Sequence, residues 1–160
     1  MTTSNAAVVP VGDGQICLQT LRETELAISD GLFLSVDLLS GGRLELGMGA
    51  GWLRSDYEQS GIALDPPAVR IDRLEEGLAV VKGLLAGGKF SFEGRHYTVT
   101  DHPGTPLPVQ RPRPPILVGG GGRRILGLAG READIVSVNF DLSSGAIGTH
   151  LGATATAGAT

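Results

Sequence analysis

The chain has 160 residues, of which 41% are hydrophobic and 19% charged, enough apolar material for the core of one ordinary domain and not the composition of a disordered segment. Its 17 acidic and 13 basic residues are spread along the sequence, so no basic stripe points to nucleic acid and no cationic amphipathic stretch points to a membrane surface. Cys17 stands alone and so excludes an internal disulfide, no His or Cys spacing suits zinc, and a reducing cytoplasm fits.

Residues 1–20 hold small polar residues, Pro10 and two glycines, and only Ala7 to Val9 with Val11 make a strand-like run. No charged N-terminal region precedes a long apolar core, so neither secretion nor membrane insertion is expected. Leu21 to Ser29 predicts a short helix. Leu32 to Leu39 is apolar at nearly every position, which leaves helix or strand open, and Asp30-Gly31 is expected to separate the two segments. Gly41-Gly42 stops whatever helix precedes it, because glycine enters a left-handed C-cap without steric cost. Arg43 to Met48 then supplies a short buried strand interrupted by Glu45. Gly47, Gly49 and Gly51 follow at alternate positions, where a ligand can approach the backbone. After Trp52, LRSDYEQSG predicts one or two helical turns ended by Gly61, and 62–67 is a loop.

Pro66-Pro67 forbids a helix before it. Ile71, Leu74, Leu78, Val81 and Leu85 recur at helical spacing, predicting an amphipathic helix over roughly 68–86 with Asp72, Arg73, Glu75, Glu76 and Lys82 opposite. Gly87-Gly88 ends it. KFSFEGRHYTVT, residues 89–100, alternates Phe90 and Phe92 with Tyr97 and Val99 around Glu93-Gly94, a hairpin pattern in which His96 and Tyr97 read as packing residues. Six prolines between Pro103 and Pro115 make a stiff extended connector. Ile116 to Val118 is a short strand, Gly119 to Gly122 its exit, Arg123 to Arg131 a helix and Asp134 to Asn139 another strand. That order is a βαβ unit, which implies a parallel sheet. Beyond Phe140 a loose small-residue tail is expected.

The chain holds 25 glycines, and two dense clusters each follow a short apolar strand. In parallel α/β folds ligands bind at the carboxyl ends of strands, which would put both clusters on one face. Residues 119–122 open a helix and precede Arg123 and Arg124. Free N–H groups, the positive end of a helix and a guanidinium suit a phosphate, with tight packing turns as the alternative. The Lys-Ser/Thr of a P-loop is missing. LELGMGAG also resembles the first motif of Rossmann-type S-adenosylmethionine methyltransferases, a reading that requires a second strand ending near Asp65. No G-x-S-x-G or H-E-x-x-H occurs, and His96 with His102 makes no more than a weak pair.

DLLSGGRLELGMGAGW, the spaced Gly61-Ile62, Arg70, Arg73 and Glu76, the FSFEGRHYTV hairpin and PPILVGGGGRRILGLAGREADIVSVN together resemble the luciferase-like monooxygenase superfamily. The branch they resemble uses the deazaflavin coenzyme F-420. The likeness runs in order from about Asp37 to Asn139. It implies an α/β fold, a (β/α)8 TIM barrel in which a flavin (FMN) or deazaflavin lies across the C-terminal ends of the strands, with hydride transfer at its ring. By position, Gly47, Gly49, Ala50 and Gly51 resemble the end of barrel strand four beside the ring system, with Trp52 at the mouth toward a small-molecule substrate. Gly119, Gly120, Gly121 and Gly122, with Arg123, resemble the end of strand five, whose amides hold the phosphate-bearing tail, and 133–139 resembles strand six.

Such a barrel takes at least about 200 residues. The expected architecture is therefore a partial barrel of its middle strands, about four to six, with a β-hairpin insertion: 1–34 unassigned, 35–140 the barrel portion, 141–160 the tail. Residues 1–34 have no counterpart in the family's first strands, and strands seven and eight are missing. The sequence is thus expected to be a truncated product, no catalytic residue is named, and activity of the isolated chain does not follow from the resemblance. A non-catalytic interaction module is the other expectation, since an open part-barrel exposes edges that pair with another chain, for example in a homo-oligomer.

Overall fold

A computed structural model describes residues 7–11, 15–19, 23–59 and 61–138. The elements in order are β1 (Ala7–Val11), β2 (Gln15–Gln19), α1 (Glu23–Ser40), β3 (Leu46–Met48), α2 (Arg54–Gln59), α3 (Pro67–Leu85), β4 (Phe90–Glu93), β5 (Thr98–His102), β6 (Ile116–Gly120), α4 (Arg123–Glu132) and β7 (Ile135–Val138). The tail expected at 141–160 lies outside the described residues.

Antiparallel β1 and β2 pair Ala7 with Gln19 and Val11 with Gln15. The expected break at Asp30-Gly31 does not occur: one helix of 18 residues, α1, runs through it. An interior glycine costs a helix about 1 kcal/mol relative to alanine. Phe33 and Leu34 are 2% and 0% exposed, and burying two such side chains at about 2 kcal/mol each outweighs that cost. The helix does stop at Gly41-Gly42. Gly42 N–H donates to the carbonyl of Asp37 at 2.9 Å and Gly41 N–H to that of Leu38 at 3.1 Å, with φ of 82 and 67 at the two glycines, the paired closure that only left-handed residues permit.

Strands β3, β6 and β7 form one parallel sheet in the order β3-β6-β7. Leu46 pairs with Ile116, Gly47 with Leu117 and Met48 with Val118; on the other side of β6, Leu117 pairs with Ile135 and Gly120 with Val138. Alternation along β6 turns Ile116, Val118 and Gly120 into the core and leaves Leu117 and Gly119 half-buried on the opposite face. The buried strand is shorter at β3 than the 43–48 run suggests, and β6 extends two residues into the glycines.

Helices α3 and α4 cover the core face. α3 starts at Pro67, where a missing N–H is harmless, and buries Leu74, Leu78, Val81 and Leu85 as the spacing predicts, with Gly77, Val80 and Leu84 widening the stripe. α4 adds Ile125, Leu128 and Ala129. Ion pairs join the two helices on the solvent side: Lys82 to Glu132 at 2.8 Å, Arg131 to Glu75 at 3.5 Å, and Arg124 to Asp72.

The β4–β5 pair docks on α3 by shape as well as by charge. A β-carbon at Gly83 would collide with the Phe90 ring, and one at Gly77 would lie 3.5 Å from the ring of Tyr97. The proline-rich connector is fastened from beneath. Asp37, fully buried, accepts from the N–H of Val109 (2.7 Å) and Gln110 (3.1 Å) and from Nε2 of Gln110 (2.8 Å). At the start of β6, Asp134 accepts from Ile116 N–H at 2.8 Å and from Arg113 at 2.5 Å.

Candidate functional site

Because β3 and β6 are parallel neighbours in register, their carboxyl ends emerge side by side. Both glycine clusters therefore lie at one edge of one sheet. A β-carbon on Gly49 would stand 3.9 Å from the carbonyl oxygen of Gly119, so the two exits are close neighbours at that edge.

The glycines within each cluster are not equivalent. Gly47 is buried inside β3 and pairs with Leu117. Gly51 has a φ of 70, and a β-carbon there would collide with the phenolic oxygen of Tyr57 from α2. Its backbone is approached by the chain's own tyrosine, so this glycine serves a tight turn. The carbonyls of Gly51 and Ala50 accept from Nη1 of Arg70, the latter at 3.4 Å. Trp52 follows at 73% exposure, beside the half-exposed Leu53.

At the second cluster, Gly119 and Gly120 belong to β6 and are not turn residues. A β-carbon on Gly120 would come within 2.5 Å of Cγ2 of Ile125, so close strand-to-helix packing accounts for that position. The tetraglycine holds no left-handed backbone: the described glycines of positive φ are Gly41, Gly42, Gly51, Gly61, Gly87, Gly88 and Gly104. The chain instead enters α4 in extended form, with Gly122 as N-cap at φ -85 and ψ 150. No side chain caps the helix, Gly121 and Gly122 are exposed, and nothing lies within 4 Å of a β-carbon built on Gly122. The first-turn amides thus open to solvent at the positive end of the helix. Of the two arginines, Arg124 is committed to α3, bonding Asp72 and the carbonyl of Ala68 (3.3 Å), whereas Arg123 is exposed and makes no ion pair among the described residues.

Asp65 decides between the two glycine-loop readings. No strand ends there: 62–66 has no regular structure, the carboxylate pairs with Arg73 at 2.8 Å and the carbonyl accepts from Nε of Arg70 at 2.9 Å. The second strand that a methyltransferase site requires is absent, and that reading is withdrawn. His96 and Tyr97 sit in the β4–β5 turn, where Oε2 of Glu76 accepts from the N–H of His96 at 2.7 Å and of Tyr97 at 3.3 Å, and Oε1 accepts from Arg95 N–H at 3.0 Å. Desolvation opposes ionisation of Glu76, but these three amides outweigh it and hold the carboxyl below its ordinary 4.5. Among the described residues no group of three or more His, Cys, Asp or Glu can hold a metal, and no helix is long and apolar enough to cross a membrane.

Sequence reasoning missed Tyr57 and the loop-holding role of Arg70. The signal for the first was Gly51 itself, since a glycine of forced conformation implies something pressed against it. For the second it was an arginine in the first turn of a helix whose preceding loop, 61–66, carries no donor side chain of its own.

The family model of luciferase-like monooxygenases matches residues 32–159. The chain belongs to the luciferase-like monooxygenase family. Over 100 residues it is 32% identical to an FMNH(2)-dependent dimethylsulfone monooxygenase of Pseudomonas putida, covering 62% of this chain and 28% of that protein. Among solved structures it is similar to the coenzyme F-420-dependent tetrahydromethanopterin reductase of Methanopyrus kandleri, with 25% identity and a TM-score of 0.60 over 71% of this chain and 36% of that one. The EDTA monooxygenase of Chelativorans has the same fold, with a TM-score of 0.66 at 24% identity over 80% of this chain and 35% of that one. The chain therefore spans about a third of the length of these luciferase-like relatives.

Proposed function

We propose that the exits of β3 and β6 hold a flavin or deazaflavin cofactor for an oxidoreductase of the luciferase-like family, acting on a small-molecule substrate. The observation that carries this is the parallel pairing of β3 with β6, which sets two glycine-rich exits side by side, a β-carbon on Gly49 standing 3.9 Å from the carbonyl oxygen of Gly119. In this reading β3, β6 and β7 stand as strands four, five and six of a (β/α)8 barrel. The residues fit the group: Gly49, Ala50 and Gly119 offer a flat wall for a ring, while the amides of Gly121, Gly122 and Arg123 and the exposed guanidinium of Arg123 suit a phosphate. Trp52, exposed beside the wall, is placed to meet the substrate. When bound, such a cofactor supplies the hydride or electron pair of the reaction. The chain's own part is to bind and orient it.

Calorimetric titration with FMN, with F-420 and with S-adenosylmethionine tests the reading. Saturable heat with FMN or F-420 and none with S-adenosylmethionine is expected. No heat with either flavin-type ligand overturns it.

A second reading, association with another copy through β7, is favoured by the exposure of Val136 (43%) and Val138 (38%) on the strand that ends the sheet among the described residues. Sedimentation at several concentrations is expected to show a dimer or larger species. A stable monomer throughout removes it.

A further inference from the structure

The loop after β3 leaves the sheet at once, so its carbonyls have no ladder to join. They are taken instead by one side chain of α3. Arg70 lies half-buried and donates through Nη1 to the carbonyls of Gly51 and Ala50 and through Nε to the carbonyl of Asp65. Its fork thus ties two loops, 50–51 and 65, to the first turn of the helix that carries it. Arg73, one turn on, holds the Asp65 carboxylate at 2.8 Å and so braces the second loop but not the first. Tyr57 closes Gly51 from the α2 side.

Peptide geometry carries this further. In a trans peptide the C=O of one residue and the N–H of the next point in opposite directions. With the carbonyls of Ala50 and Gly51 drawn to Arg70, the N–H groups of Gly51 and Trp52 point away from it, and neither has an acceptor among the described residues. We propose that Arg70 is the positioning residue of this loop: by taking the two carbonyls it presents the amides of Gly51 and Trp52 as free donors to an acceptor atom on the bound ligand, and fixes where Trp52 stands. The ligand half of this rests on the cofactor reading above; the loop half does not. A lysine would preserve the charge but not the fork, because a single ammonium lacks the separate Nε and Nη donors.

The test uses the full chain as wild type, Arg70→Gln, Arg70→Lys and Arg73→Gln, with thermal unfolding by circular dichroism as the control for folding. Trp52 is the only tryptophan, so its fluorescence anisotropy decay reports the loop without any ligand. FMN affinity is measured by calorimetry. Arg70→Gln is expected to lower the residual anisotropy of Trp52 and weaken FMN binding about ten-fold, as loss of one to two charge-assisted bonds implies. Arg70→Lys should fall between it and wild type, and Arg73→Gln should match wild type in both. Wild-type anisotropy in Arg70→Gln overturns the proposal, as does an equal loss in Arg73→Gln, which would mark a general loosening of α3. If wild type binds no FMN, the cofactor reading fails separately and the anisotropy decides the positioning role. If Arg70→Gln does not fold, Arg70→Lys against Arg73→Gln decides it.

Discussion

Gly49 and Gly119 face each other across the exits of two hydrogen-bonded parallel strands, so closely that a β-carbon on the first would touch the carbonyl oxygen of the second at 3.9 Å. That is an ordinary contact distance. Neither residue therefore needs to be glycine for the fold, and in the proposed cofactor reading the absence of side chains there leaves room for the ligand. Gly119→Val is expected to weaken FMN or F-420 binding at least about ten-fold by intruding on the ligand, with little change in thermal unfolding. Calorimetry and circular dichroism on the same sample check both halves.

Gly120 is the opposite case. Its β-carbon would reach within 2.5 Å of Ile125, in the packed seam between β6 and α4. Gly120→Ala is expected to destabilise the fold by about 1–3 kcal/mol through overpacking, and the double variant with Ile125→Val to recover part of that. Urea unfolding of the three variants provides the cycle.

At the start of α4, Gly122 has φ -85 and open space around it, so a side chain is tolerated by the backbone. Gly122→Val should cost no more than about 1 kcal/mol of stability, as a poorer N-cap, yet cost about 2 kcal/mol of binding to a phosphate-bearing cofactor, from obstruction of the amides. Arg123→Ala should cost less, and less still at high salt, because its charge is exposed and screened. Affinities at low and high ionic strength separate the two.

Asp37 is fully buried and accepts three hydrogen bonds from the connector. Asp37→Ala would strand two backbone N–H groups and one N–H of the Gln110 amide, whose nitrogen keeps its bond to the Leu44 carbonyl, so a loss of about 3 kcal/mol is expected in urea unfolding.

Glu76 links stability to pH. Its folded-state carboxyl lies below the ordinary 4.5, so its ionised form contributes stability that is present above 4.5 and lost as the pH falls through the lower folded value. The same sign holds for Asp134, whose bond to Arg113 outweighs burial, and for Glu132, held down first by its bond to Lys82. Glu76→Gln is expected to flatten part of the acid limb of the stability curve. Unfolding free energies measured between pH 3 and 6 show it.

Much of the fold was legible from chemistry local in sequence. Pro66-Pro67, the apolar spacing of α3 and the strand–glycine–helix–strand order after Pro115 each predict an element from its own residues. Gly31 shows the limit: a glycine that reads as a breaker is carried through a helix because Phe33 and Leu34 are buried by partners distant in sequence. The site was legible as glycine-rich exits, but not in which glycine does what. Gly51 answers to Tyr57, Gly120 to Ile125, and Gly122 to nothing within reach. Only packing distinguishes them, and no periodicity encodes it. The four-residue exit expected at 119–122 is shorter for a related reason, since the strand continues through Gly119 and Gly120.

The proposal that β3 and β6 form a cofactor wall is tested most directly by an amide-resolved NMR titration of the chain with FMN and with F-420. The account predicts that the largest shifts fall on Gly49, Gly51, Trp52, Gly119 and Gly121 to Arg123, and that the amides of Asp134 and Ile116 at the opposite end of the sheet stay still. Shifts centred on that opposite end, or no shifts at any ligand concentration, would contradict it.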